Sequence, residues 1–268
     1  LEPIFEAGGE WERLIDVLDV MVRHTDDPIL RVELMHRIAD YYERRIESPL
    51  DTFKAYGQAL KEDSSNEVTL GHLERLADQT KAWDELAASY ESELGKLLEV
   101  PRQVDMLLRV ARVYEEELGQ TERAVATYRR VVDAEAENRD AILAIDRLYQ
   151  QTERWGELAD VLRREIRLAQ NDQEIVALQF RLGQLYEQNL RDIDSAIGVY
   201  DEILKADGGH APTLAALELL FAEGVKQIEI AGILEPLYRI AEQWEKLVKI
   251  YEVQLDKLTG ADERMQLI

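Results

Sequence analysis

In a chain of 268 residues, 55 Asp and Glu against 32 Lys and Arg leave a formal charge of −23, which repels phosphate backbones and argues against a nucleic-acid partner. Zero Cys excludes disulfide frameworks, thiolate metal sites and Cys nucleophiles, and apolar stretches such as 213–222 fall short of the roughly 20 residues a membrane-spanning helix needs. With 14 Gly, 6 Pro, abundant helix formers and no alternating period-2 runs, the composition predicts an all-α fold without membrane insertion.

In chain order the predicted helices span 2–8, 11–23, 29–46, 50–62, 66–79, 82–98, 102–118, 121–135, 138–151, 153–169, 172–189, 192–206, 211–223, 226–241 with a break, and 243–258. Their short connections suit antiparallel neighbours. Asp51, Asn66, Thr121, Asn138, Asp172 and Asp192 stand where N-caps are wanted, and Pro28, Pro101 and Pro212 sit at helix starts, where a proline costs least.

A period runs through this list. Trp11, Trp83 and Trp155 fall 72 residues apart. The same spacing carries Ile38, Val110 and Leu182, then Ala39, Ala111 and Gly183, then Tyr42, Tyr114 and Tyr186. On the following helices it carries Thr52, Ala124 and Ala196, then Tyr56, Tyr128 and Tyr200, then Leu60, Val132 and Leu204. A small residue three before a tyrosine puts both on one helical face, where the small side chain admits a neighbouring helix and the tyrosine fills the adjoining gap. The expected block is a double hairpin of 72 residues, and 1–268 reads as a single array of such blocks.

The clock misses once, at Gln227. Leu234-Glu235-Pro236-Leu237-Tyr238 then echoes Leu1-Glu2-Pro3-Ile4-Phe5 at a spacing of 233 residues, which Trp244 keeps with Trp11. The stretch 225–241 is therefore expected to be an irregular insert before a restart over 234–268, with Gly224 to Gly232 either a shortened turn that redirects the array or an ordinary helix in a drifted sequence. Apolar residues at both ends, Leu1 to Phe5 and Met265 to Ile268, lead to the expectation that the repeats continue in both directions.

The residues Val110-Ala111 with Tyr114, Ala124, Tyr128 and Val131, and likewise Leu182-Gly183 with Tyr186, Ala196, Tyr200 and Ile203, resemble the tetratricopeptide repeat pattern. The resemblance implies stacked antiparallel helix hairpins wound into a right-handed α-solenoid of about 15 helices with a concave binding groove. The alternate units, built on Leu73-Glu74 and Ile145-Asp146, put a large side chain where the family has a small one and read as tetratricopeptide-like only.

No constellation for chemistry stands out. Carboxylates are too dense for any pair to signal acid–base catalysis, and His24, His36, His72 and His210 include no pair at metal-binding helical spacing. No catalytic residue, cofactor or metal is predicted. In the resembled family the first helix of each hairpin lines the groove, and carrying that over by position gives Asp40, Arg112 and Gln184, then Glu43, Glu115 and Glu187. The alternate units place Glu2, Glu74, Asp146, Glu218 and Glu235 there, with Asp78 four beyond Glu74. An acidic row of this kind would steer a basic peptide or protein into the groove. The expected function is a non-enzymatic interaction scaffold. Its alternatives are a structural spacer in a large assembly, such as a bacterial envelope or motility machine, and more remotely an α/α-toroid hydrolase. The compartment is left open.

Overall fold

The computed structural model describes residues 2–257, so the predicted apolar C-terminal end and the last part of the restart lie outside the described residues. Among the described residues there are fifteen α-helices and no strand. They are α1 (Glu2–Gly8), α2 (Trp11–His24), α3 (Pro28–Tyr41), α4 (Pro49–Glu62), α5 (Glu67–Thr80), α6 (Trp83–Leu94), α7 (Val100–Arg112) and α8 (Thr121–Ala134). There follow α9 (Arg139–Gln151), α10 (Trp155–Leu168), α11 (Asp172–Gln184), α12 (Ile193–Ala206), α13 (Ala211–Ala222), α14 (Gln227–Ile240) and α15 (Trp244–Lys257). The chain forms two compact units, residues 1–145 and 146–268.

Consecutive helices from α1 to α8 and from α10 to α15 pack on one another, and the buried residues recur at helical spacing. In α2 they are Leu14, Ile15, Leu18 and Val22, and in α7 Val104, Met106, Leu107, Val110 and Ala111. The small-residue ladder sits at the closest approaches: Ala39 and Ala111 are fully buried, and a Cβ on Gly183 would stand 2.4 Å from the ring of Tyr200. Only glycine fits beneath that ring.

The period is written into the backbone as well as the side chains. After α1, α5 and α9 the chain turns through left-handed Gly9, Lys81 and Glu153 (φ 67, 57 and 55°). The next residues, Glu10, Ala82 and Arg154, donate their N–H to the carbonyls of Phe5, Ala77 and Tyr149 at 2.9, 3.0 and 2.9 Å, the closing bond of a Schellman turn. The other hairpins turn differently. There α3, α7 and α11 widen into π-helical turns, Tyr42–Ile46, Val113–Glu117 and Leu185–Leu190, where regular α-helix is expected. These end on left-handed Glu47, Gly119 and Arg191, and the ladder tyrosines Tyr42, Tyr114 and Tyr186 accept at their carbonyls from the N–H of Ser48, Gln120 and Asp192. The extra residue in the π turn lets one carbonyl reach across the whole connection.

The helix starts need some correction. Asn66, Asn138 and Asp192 cap as expected, accepting from the N–H of Thr69, Ala141 and Ser195. Asp51, Thr121 and Asp172 already lie inside their helices, because the residues that leave helical geometry are Ser48, Gln120 and Asn171. Pro28, Pro101 and Pro212 occupy first or second helical positions.

The stretch 225–241 differs most from expectation. It is the ordinary helix rather than the shortened turn, and the expected break is absent, since α14 runs unbroken through 14 residues. The Schellman turn after α13 comes one residue early, at Gly224 (φ 85°), and a second left-handed residue, Lys226 (φ 46°), restores the count. Pro236 lies inside α14, where its ring would press on the carbonyl four residues back. That carbonyl belongs to Gly232, exposed and without a side chain, so it can turn to water. The α14 helix closes as α1 does, with Glu242 left-handed (φ 54°) and the Gln243 N–H donating to Tyr238 at 2.9 Å.

Candidate interaction surface

The predicted groove residues lie on the first helices of the hairpins, and most of them are engaged within the chain. A carboxylate on a first helix repeatedly accepts from a tyrosine on the second. Tyr128 donates to Glu115 (3.0 Å), Tyr200 to Glu187 (2.7 Å), Tyr90 to Glu74 (3.3 Å) and Tyr238 to Glu218 (2.5 Å). Burial, reinforced by these carboxylates, pushes the Tyr90, Tyr200 and Tyr238 phenols well above their ordinary value. Tyr90, Tyr128, Tyr200 and Tyr238 are thus packing residues whose hydroxyls tie their own hairpins shut.

A second set of bonds joins successive first helices. Glu2 pairs with Arg37 (2.5 Å), Glu74 with Arg109 (3.0 Å) and Asp146 with Arg181 (2.5 and 2.7 Å, both oxygens). Each pair spans 35 residues, and both its members repeat every 72. Asp146 is buried, and its bond holds the Arg181 guanidinium above its usual pKa range. For Arg109 burial works the other way, yet the bonds to Asp105 and Glu74 raise its pKa. Arg37, Arg109 and Arg181 keep the same 72-residue spacing as the acidic row they bind. At the fourth beat the arginine position is Val253, and Glu218 takes Lys246 (2.6 Å) instead. Burial would raise the Glu218 pKa, but its bonds with Lys246 and Tyr238 outweigh that and lower it.

Glu43 pairs with Arg75 on the next first helix (2.7 Å). Asp40 and Asp78 are more open, each holding only a same-segment cation, Arg44 at 2.6 Å and Lys81 at 2.9 Å. Arg112 is exposed and Gln184 half-buried. The predicted row therefore divides into carboxylates spent on internal bonds and two acidic positions, Asp40 and Asp78, in exposed pairs. Exposed pairs of this kind are worth about 0–1 kcal/mol and exchange readily.

Two histidines meet although they lie on different helices. The Tyr56 ring stacks on His72 (4.4 Å between centroids) and tilts against His36 (5.4 Å), whose Nε2 lies 2.7 Å from the Thr69 hydroxyl. Burial lowers both imidazole pKa values, helped at His36 by His72 and at His72 by Arg75, while burial pushes Tyr56 up to about 12. Among the described residues no group of three or more His, Cys, Asp and Glu could hold a metal ion, and no helix is long and apolar enough to cross a membrane.

Three stretches of the chain match the tetratricopeptide repeat family: 105–136, 177–208 and 141–175. Over these three stretches the chain carries tetratricopeptide repeats. The first two stretches are the hairpins α7–α8 and α11–α12, where the resemblance in sequence is fullest. The third, α9–α10, is one of the alternate units, so a large side chain at Ile145 does not remove a hairpin from the tetratricopeptide family. No curated protein matches the chain in sequence. Solved structures similar to it include YrrB, a tetratricopeptide repeat protein with an unusual peptide-binding site (15% identity, 75% of this chain and 97% of that one, TM-score 0.38). Others are a tetratricopeptide repeat protein from Parabacteroides merdae (15%, 88% and 96%, 0.38) and BtubC from P. vanneervenii (13%, 91% of each chain, 0.35). These are likenesses, and the assignment rests on the matched repeats.

Proposed function

We propose that the chain is a non-enzymatic scaffold that holds a polypeptide partner on the first-helix face of its tetratricopeptide repeats. The observation that carries this reading is the contrast between constant and varied positions on that face. Ala39, Ala111 and Gly183 keep the packing, while the adjacent Asp40, Arg112 and Gln184 change charge from one repeat to the next. Preformed helices spare such a surface the ordering cost of binding. A basic segment would bind where carboxylates can be recruited, and Asp40 and Asp78 are the two whose present partners are most easily displaced.

The test is binding of a labelled Lys-rich peptide, followed as salt is raised. The variant Asp40→Lys/Asp78→Lys is expected to lose binding, while Glu116→Lys/Glu117→Lys, with the same change in net charge, keeps it. Equal loss in both would leave only general charge attraction. That outcome would favour the second reading, a structural spacer, to which the carboxylate–arginine bonds between successive first helices already lend support.

A further inference from the structure

The second helices of the hairpins frame a different surface. In the second unit a cleft of about 430 Å³ opens between α10 and α12, floored by α11. Its apolar lining comes from Ile166, Leu182 and Val199, with Gln179 beside Leu182 on α11 and Tyr186 at one side. One wall carries Arg163 and Arg167, the other Ser195, Gly198 and Glu202.

The same place one period earlier is closed. Between α6 and α8, Arg130 donates to both oxygens of Glu91 at 3.0 Å, and Arg123 lies over the Tyr114 ring at 4.4 Å. The residues 72 further on are Glu202 for Arg130, Arg163 for Glu91 and Ser195 for Arg123. The charges are exchanged, the covering arginine becomes serine, and Gly198 replaces Ala126 on the rim. The exchanged pair does not bridge the gap, because Arg163 is drawn to Asp160 and to the Tyr186 hydroxyl on its own side. Arg167, which stands where the first unit has Gly95, is exposed and has no ionic partner among the described residues.

We propose that this cleft is a second docking site, for a polypeptide segment that carries a carboxylate side chain beside an apolar one. In a chain with a net charge of −23, Arg167 stands beside this apolar lining as an exposed guanidinium with no ionic partner among the described residues. A planar guanidinium without a partner matches a carboxylate with two parallel bonds. The floor accepts the neighbouring apolar side chain, and the cavity is of the size that binds small ligands or a few side chains. Glu202 on the far wall accepts a backbone N–H of the segment and repels a dianion, so the site selects a carboxylate over a phosphate. The site is distinct from the first-helix face and stands or falls independently of it.

The test uses the whole chain and short capped fluorescent peptides in which Glu alternates with Leu, compared with versions bearing Gln, Lys or phosphoserine for Glu. Anisotropy is expected to show binding of the Glu peptide alone. Arg167→Gln should weaken it by about tenfold. So should the refilled cleft, Arg163→Glu/Ser195→Arg/Glu202→Arg, which copies the closed cleft of the first unit. Lys61→Gln, at an exposed cation outside both surfaces, should leave it unchanged. No binding of the Glu peptide, equal binding of the Gln peptide, tighter binding of the phosphoserine peptide, or undiminished binding by the refilled cleft would each overturn the proposal. If circular dichroism shows the triple variant unfolded, the exposed Arg167→Gln decides.

Discussion

At the scale of single residues, tight packing and ion pairing divide the work. Gly183 has no room for a side chain, because the Tyr200 ring above it is fully buried and hydrogen-bonded to Glu187 at its far end. Gly183→Ala must displace that ring and is expected to cost about 1–3 kcal/mol, read as a lower urea midpoint. Tyr200→Leu in the same background should recover part of the loss by freeing the space. No recovery would mean that the glycine is needed for another reason. The ladder Ala39, Ala111 and Gly183 made this position legible from the sequence as a close approach. The demand for glycine in particular was not legible, since it depends on how far the tyrosine of the neighbouring helix leans inward.

At the scale of elements, helices read well and their ends read poorly. Amphipathic spacing located the helices because burial on one face follows directly from residue type. The π turns and left-handed turn residues were hidden. Lys81, Glu153, Arg191 and Glu47 give no local sign that they adopt positive φ, and only comparison with Gly9 and Gly119 at the same phase would have exposed them. The acidic row was legible as positions but not as chemistry, because its partners, Arg37, Arg109 and Arg181, lie a hairpin away. The contact among α3, α4 and α5 carries a pH dependence. His36 and His72 have folded pKa values below the ordinary 6.5, so the unfolded chain binds protons first as pH falls. Stability from this pair is present above that value and is lost as the pH drops below it, toward the lowered folded pKa values. Protonation would also oppose Arg75 beside His72, while Asp40 and Glu43 favour it. The unfolding midpoint of the wild type, relative to that of His36→Phe/His72→Phe, is expected to fall between pH 7 and about 5.5. A difference that stays flat with pH would show that the imidazoles titrate alike in both states.

At the scale of the whole molecule, uncompensated negative charge outweighs the internal pairs. After the 32 cations are matched, 23 carboxylates remain, and most of the visible pairs are exposed enough to contribute little. Raising NaCl from about 20 to about 300 mM shortens the range of the repulsion and is expected to raise the urea midpoint. A lower midpoint would show that the inter-helix ion pairs dominate. One consequence of α14 concerns the order of helices in the second unit. Ile230 and Ala231 occupy the buried phases that Leu158 and Ala159 hold in α10, whereas the end of α14 repeats the closure of α1. This single helix completes one hairpin and begins another. The tryptophan-headed helix α15 comes five helices after α10, whereas α6 and α10 follow α2 and α6 by four, so the alternation of first and second helices shifts at α14. The α15 helix keeps the core phase of α10, with Leu247 buried as Leu158 is, while its Trp244 and Val248 are left 58% and 54% exposed.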